Sequence, residues 1–101
     1  MKQGRPVIYT KREAIAHAIE LAHELGGYTR VTRELLSKKS GMSEGQISNI
    51  FGTMIQMRRA IVSAAIAKND LIIIAQGIVA GESKAVSLPT ELKRQALESI
   101  L

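Results

Sequence analysis

The chain has 101 residues, of which 46% are hydrophobic and only 3% aromatic, and it contains no cysteine. This length is enough for one domain and too short for a second, independently folded ligand-binding domain. The lack of cysteine excludes disulfides and thiolate metal sites and fits a reducing cytoplasm. A core built from Ala, Ile, Leu, Val and Met favours helices over strands, so the composition predicts an all-α protein.

The net charge is +5, and it is unevenly distributed along the chain. Residues 1–59 contain ten basic and five acidic side chains, whereas residues 60–101 contain four of each. This asymmetry predicts that the N-terminal part binds a polyanion and that the C-terminal part has another role. Charged and polar residues at 68–70 interrupt the apolar stretch 60–80, and residues 1–9 lack the apolar segment of a signal peptide. We therefore expect a cytoplasmic protein that does not span a membrane.

Local signals predict the first helices in chain order. Residues 1–9 lack periodicity and are interpreted as a flexible basic arm. Thr10 and Glu13 have the spacing of a capping box, which predicts a helix over residues 11–25 that Gly26 and Gly27 terminate. A further N-cap at Thr32 predicts a short helix over residues 33–39.

A turn at residues 40–42 is followed by a second capping box, Ser43 to Gln46, which predicts a helix ending near Phe51. Thr53 is expected to cap a longer apolar helix over residues 54–68.

Residues 71–80 are predicted to form a helix capped by Asn69 or Asp70, although the β-branched run 71–74 also permits a strand. We expect a loop over residues 81–86 and a last helix that starts near Pro89. Its apolar stripe is formed by Leu92, Ala96 and Ile100.

Residues 33–52 satisfy the steric demands of a helix-turn-helix motif. A small residue, Ser37, occupies the position where two such helices cross, and Gly41 can adopt the turn conformation that a Cβ disfavours. Apolar residues in the positions that would form the small core beneath the second helix are Leu36, Met42, Ile47 and Ile50.

From residue 15 to 61 the sequence resembles the DNA-binding domain of TetR-like regulators. The matching features are Gly26-Gly27, Thr32, Gly41-Met42-Ser43, Ile47 and Phe51-Gly52. Residues 41–52 also resemble lambda-type phage repressors. Serine at position 48 and methionine at position 54 depart from the phosphate-binding Tyr and Lys usual in the TetR-like family, and the tail is too short for the family's drug-sensing pocket. The whole chain is most similar to the small TetR-like regulators of phages and mobile elements.

If the second helix enters the major groove, its outward side chains would contact base edges. Asn49 is the best candidate because its amide can pair with adenine in two places, and Glu44 can accept a hydrogen bond from cytosine. An acidic residue in a first turn also complements the helix dipole, so Glu44 has an equally good structural role. For Gln46 a role in the capping box is favoured over base reading. The predicted base-reading residues are Ser43, Glu44, Gly45, Gln46, Ser48 and Asn49.

Phosphate contacts are expected on both sides of this helix. As a set, the predicted phosphate-binding residues are Thr32, Arg33, Arg30, Lys38, Lys39, Thr53 and Arg58. Lys2 and Arg5 lie beside Gly4 and Pro6 in a pattern similar to minor-groove arms, although an ordinary disordered terminus is the favoured interpretation. His17 and His23 are not on one helix face, and no nucleophilic, phosphate-loop or paired-carboxylate site is found, so we expect no metal, no cofactor and no enzymatic activity.

The sequence therefore predicts a three-helix head (residues 10–59) preceded by the arm (1–9) and followed by a helical dimerisation tail (60–101), all within one compact domain. The favoured function is a repressor that binds double-stranded DNA as a homodimer on a palindromic operator. Alternatives are a protein-interaction module such as an antitoxin or adaptor, and a non-specific architectural DNA binder. A small-molecule effector is not expected.

Overall fold

The computed structural model describes residues 10–101, and this part of the chain is all-helical. Predictions for residues 1–9 lie outside the described residues. The elements in chain order are α1 (Lys11–Leu25), a 3₁₀ turn (Tyr28–Arg30), α2 (Arg33–Ser40), α3 (Glu44–Phe51), α4 (Met54–Ala67), α5 (Leu71–Ala80), α6 (Ser83–Val86) and α7 (Thr90–Glu98).

Side-chain caps set most of the helix starts. The predicted capping box at Thr10 is confirmed, since its hydroxyl accepts from the Glu13 amide while the Glu13 carboxylate accepts from the Thr10 amide. Ser43 and Thr53 begin α3 and α4 with boxes of the same kind. Asp70 caps α5. Residues 71–80 are therefore a helix, and the strand alternative is excluded.

The loop expected over residues 81–86 is wrong in part, because residues 83–86 form the short helix α6. Its buried Ala85 packs against Gly77 of α5, where a Cβ added to Gly77 would lie 3.0 Å from the Ala85 Cβ. This close contact depends on the tertiary fold, so no local cap or periodicity indicates it. The last helix begins one residue after Pro89, close to the predicted start.

One core runs through the predicted head and tail. Helix α4 packs against α1, α3, α5 and α6, and α5 packs in turn against α7. The fully buried side chains include Ile61 and Val62 of α4 and Ile73 and Ile74 of α5. Residue 60, the predicted boundary, lies inside α4. Much of the apolar surface of the tail is therefore covered by its own chain.

Within residues 10–101, no single helix is long and apolar enough to cross a membrane. Helices α3 and α4 together meet the length and composition criterion, but the pair is bent by 67° at its junction.

Candidate nucleic-acid interface

The turn between α2 and α3 is fixed by side-chain hydrogen bonds. Gly41 ends α2 with a φ of 83°, in the left-handed region that favours glycine. The Ser37 hydroxyl donates to the Met42 carbonyl at 2.6 Å, and the Ser40 hydroxyl donates to the Leu36 carbonyl at 2.7 Å. The first bond joins α2 to the turn, and the Ser40 hydroxyl also accepts from the Met42 amide at 3.1 Å, so both serines fix the turn that leads into α3.

Helix α3 has a buried face and an exposed face. Ile47 is completely buried, as are Leu36 and Met42 beneath it, and Ile50 is half-buried. Glu44, Gly45 and Asn49 are exposed, and Ser48 is half-buried. An added Cβ on Gly45 would meet nothing closer than 3.8 Å, so the surface there is open to an approaching molecule.

Two of the predicted base-reading residues are engaged in the cap of α3. The Ser43 hydroxyl accepts from the Gln46 amide at 3.1 Å, and the Gln46 side-chain oxygen accepts from the Ser43 amide at 2.8 Å. Both oxygens thus stabilise the helix start. The exposed polar side chains that project from the first two turns of α3 are therefore those of Glu44 and Asn49, with Ser48 beside them.

Arg33 connects α2 to the end of α3. Its Nη2 donates to the Gly52 carbonyl at 3.1 Å, nineteen residues away. Because Arg33 is the first residue of α2 and Gly52 immediately precedes the cap of α4, this bond holds the N-termini of α2 and α4 close together. A phosphate contact was predicted for Arg33, and this bond was not, because no local sequence pattern indicates a partner nineteen residues away.

Thr32 and Thr53 cap those two N-termini, accepting from the Leu35 amide at 3.2 Å and from the Gln56 amide at 3.1 Å. Unpaired amides and the helix dipole make helix N-termini favourable positions for phosphate. Both threonines are therefore well placed beside α3, although their hydroxyls have intramolecular roles.

The other predicted phosphate-binding cations differ in their surroundings. Lys38 is exposed and 3.7 Å from Glu34, and Arg30 donates to the Leu25 carbonyl at 3.4 Å. Lys39 forms an ion pair with Glu24 of α1 at 2.7 Å, and the hydrogen bond that its ammonium group donates to Glu24 raises the pKa of that group. Lys39 thus connects α2 to α1.

Arg58 is half-buried, and its Nε is buried without a hydrogen-bond partner among the described residues. Its charge acts on Tyr28, whose pKa is raised by burial and by Glu82, and lowered less by Arg58. Arg58 therefore belongs in part to the interior between α4 and the 3₁₀ turn.

The remaining predicted features are outside this surface. Lys2 and Arg5 of the predicted arm are not among the described residues. The Nε2 atom of His23 lies at hydrogen-bond distance, 2.7 Å, from Oδ2 of Asp70, and residues 10–101 contain no group of three or more potential metal-ligating side chains.

Comparisons with known protein families, with curated proteins and with solved structures find no match.

Proposed function

We propose that the chain is a sequence-specific DNA-binding protein that represses transcription, with α2 and α3 acting as a helix-turn-helix motif. The observation that carries the proposal is the division of α3, which buries Ile47 and presents Glu44, Gly45 and Asn49 outward. A recognition helix must pack on one face and offer short polar side chains at its N-terminal end on the other. Asn49 is the proposed adenine reader, and Glu44 the proposed cytosine reader.

The backbone of the DNA would be held on either side of this helix. The N-termini of α2 and α4, which the Arg33–Gly52 hydrogen bond holds together, offer amides to phosphate oxygens. Lys38 is exposed on α2 and adds positive charge nearby. The positive excess in residues 1–59 supports the same orientation, with this part of the chain toward the DNA.

Two copies of the chain would bind a palindromic operator, because one recognition helix reads too few base pairs for specificity in a genome. The tail offers an apolar surface for this association. Val79, Ile72 and Ile100 are 72%, 42% and 45% exposed, and Val79 and Ile72 lie two turns apart on one face of α5. The tail carries no net charge, so the approach of two copies there is not opposed by repulsion.

Ala96 is excluded from such an interface because it is fully buried within its own chain, and Leu92 is half-buried. Ala96→Lys would therefore disturb the folding of the chain rather than the association of two copies. The contact surface proposed for the second copy is the exposed part of α5 together with Ile100.

The decisive experiment selects bound sequences from a random pool of double-stranded DNA and measures the mass of the protein in solution. We expect enrichment of a palindrome whose half-sites are about one DNA turn apart, and the mass of a dimer. Equal recovery of all sequences would instead indicate an architectural DNA binder.

The exposed apolar residues of the tail also favour a second candidate function, a protein-interaction module that covers this surface with a different protein. In that case the selection would return no enriched motif. The protein alone would have the mass of a monomer.

A further inference from the structure

A cleft separates the first turn of α1 from the last turns of α4. Its volume is about 350 Å³, within the range of small-molecule sites, and its surface is mainly apolar. Ile15 of α1 and the alanines at positions 64 and 67 of α4 form the floor. Two antiparallel helices ordinarily close such a space with larger side chains, and the two alanines leave it open.

Three cations surround this floor: Lys11, Arg12 and Lys68. None of them has a hydrogen-bond or ion-pair partner among residues 10–101. Of the nine other lysines and arginines in residues 10–101, four form ion pairs with carboxylates, as Lys39 does with Glu24, and three donate to backbone carbonyls. The acidic side chains nearest to these cations in sequence have other partners: Glu13 accepts hydrogen bonds from Thr10, and Asp70 accepts one from the Ile73 amide.

Positive charges with no carboxylate of residues 10–101 within ion-pair distance repel one another and attract an anion. The apolar floor between them favours a ligand that also has a hydrocarbon part. We propose that this cleft binds a small amphipathic carboxylate, with its acyl chain over Ile15 and Ala64 and its carboxylate against the surrounding cations.

The cleft is separate from the proposed DNA-binding surface. Ala64 and Ala67 lie ten and thirteen residues beyond the start of α4, or about 15–20 Å along the helix. The proposal does not depend on DNA binding. This cleft also differs from the drug-sensing pocket of the TetR-like family, for which the tail is too short. That pocket requires a further domain, whereas residues of α1 and of α4 with its C-cap line this cleft.

Octanoate is a suitable probe, and amide chemical shifts of the full-length protein measure both affinity and location. At low ionic strength we expect saturable shifts confined to the first turn of α1 and the last turns of α4, with a dissociation constant around 1 mM for a ligand of this size. Octanol, which lacks the charge, and inorganic phosphate, which lacks the chain, should each bind at least about fivefold more weakly.

Variants distinguish binding in the cleft from non-specific attraction of the anion to the positively charged protein. Lys68→Ala should weaken octanoate about two- to fivefold, whereas Lys84→Ala, which removes an exposed and unpaired cation elsewhere, should leave the affinity unchanged. Ala67→Phe places a ring in the cleft from an exposed position and should abolish binding without loss of helix content. The proposal is overturned by equal affinities of the Lys68→Ala and Lys84→Ala variants, by equal binding of octanol, or by preference for an acidic peptide over octanoate.

Discussion

Gly52 joins α3 to α4 in a conformation that only glycine adopts readily. Its φ is 84° and its ψ is −131°, outside the regions open to L-residues. An added Cβ would lie 2.1 Å from Oε1 of Gln56, the atom that accepts the Thr53 amide in the cap of α4. Gly52→Ala therefore combines backbone strain with displacement of the capping glutamine.

The two effects set the expected magnitude. A residue held in such a conformation costs about 1–3 kcal/mol, and loss of a helix cap costs about 0.5–2 kcal/mol. Alanine also restricts the unfolded chain, which offsets about 0.4–1 kcal/mol. We expect Gly52→Ala to lower the free energy of unfolding by about 0.5–4.5 kcal/mol, with a central value of about 2.5 kcal/mol, a large part of the stability of a domain of this size.

Gly26→Ala is the matched control. Gly26 also has a positive φ, 76°, but an added Cβ there meets no atom within 4 Å. Only the strain of the left-handed region applies, so we expect a loss of about 1 kcal/mol. Urea unfolding followed by circular dichroism measures both values. If Gly52→Ala is no more destabilising than Gly26→Ala, the close contact with Gln56 is not what fixes this junction.

Three further predictions concern DNA binding. Asn49→Ala should weaken operator binding by about 1–3 kcal/mol and relax the preference at one base pair, measured by fluorescence anisotropy on a series of operators; unchanged preference would place the reading residue elsewhere. If the two copies neutralise about six phosphates, log affinity against log salt should have a slope near −5, and a flat response would remove the DNA hypothesis. Val79→Lys should convert the proposed dimer to a monomer in sedimentation and lower affinity for the palindrome, whereas Ala16→Lys, on an exposed part of α1, should do neither.

The helix starts were predictable from the sequence because their causes are local. Thr10, Ser43 and Thr53 each exchange capping hydrogen bonds with the residue three positions later. Gly41 ends α2 directly after its last residue. The exposed residues of the candidate site were also predictable from local sequence. Helical spacing along α3 determines which side chains lie on the same face as Ile47 and which lie on the opposite face.

Contacts between distant residues were not predictable. No periodicity indicates that Arg33 donates to Gly52 or that Lys39 pairs with Glu24, fifteen residues earlier. An apolar helix must be covered, but its sequence does not say whether its own chain or a second copy covers it. In α5 the structure distinguishes the two: Ile73 and Ile74 are buried by their own chain, whereas Ile72 and Val79 are exposed.

The tail is joined to the head by polar contacts as well as by the common core. The Gln76 side chain accepts the Tyr28 amide at 2.9 Å, Asp70 pairs with His23 at 2.7 Å, and Glu82 lies 3.7 Å from Arg59. These three contacts connect α5 and its flanking residues, Asp70 before it and Glu82 after it, to α1, the 3₁₀ turn and α4. Helix α3 and the exposed face of α5 thus belong to one rigidly packed unit, because packed interiors deform little. If two copies associate through that face, the distance between their α3 helices is set by the fold of each chain together with the orientation of the interface, with no flexible linker to adjust it.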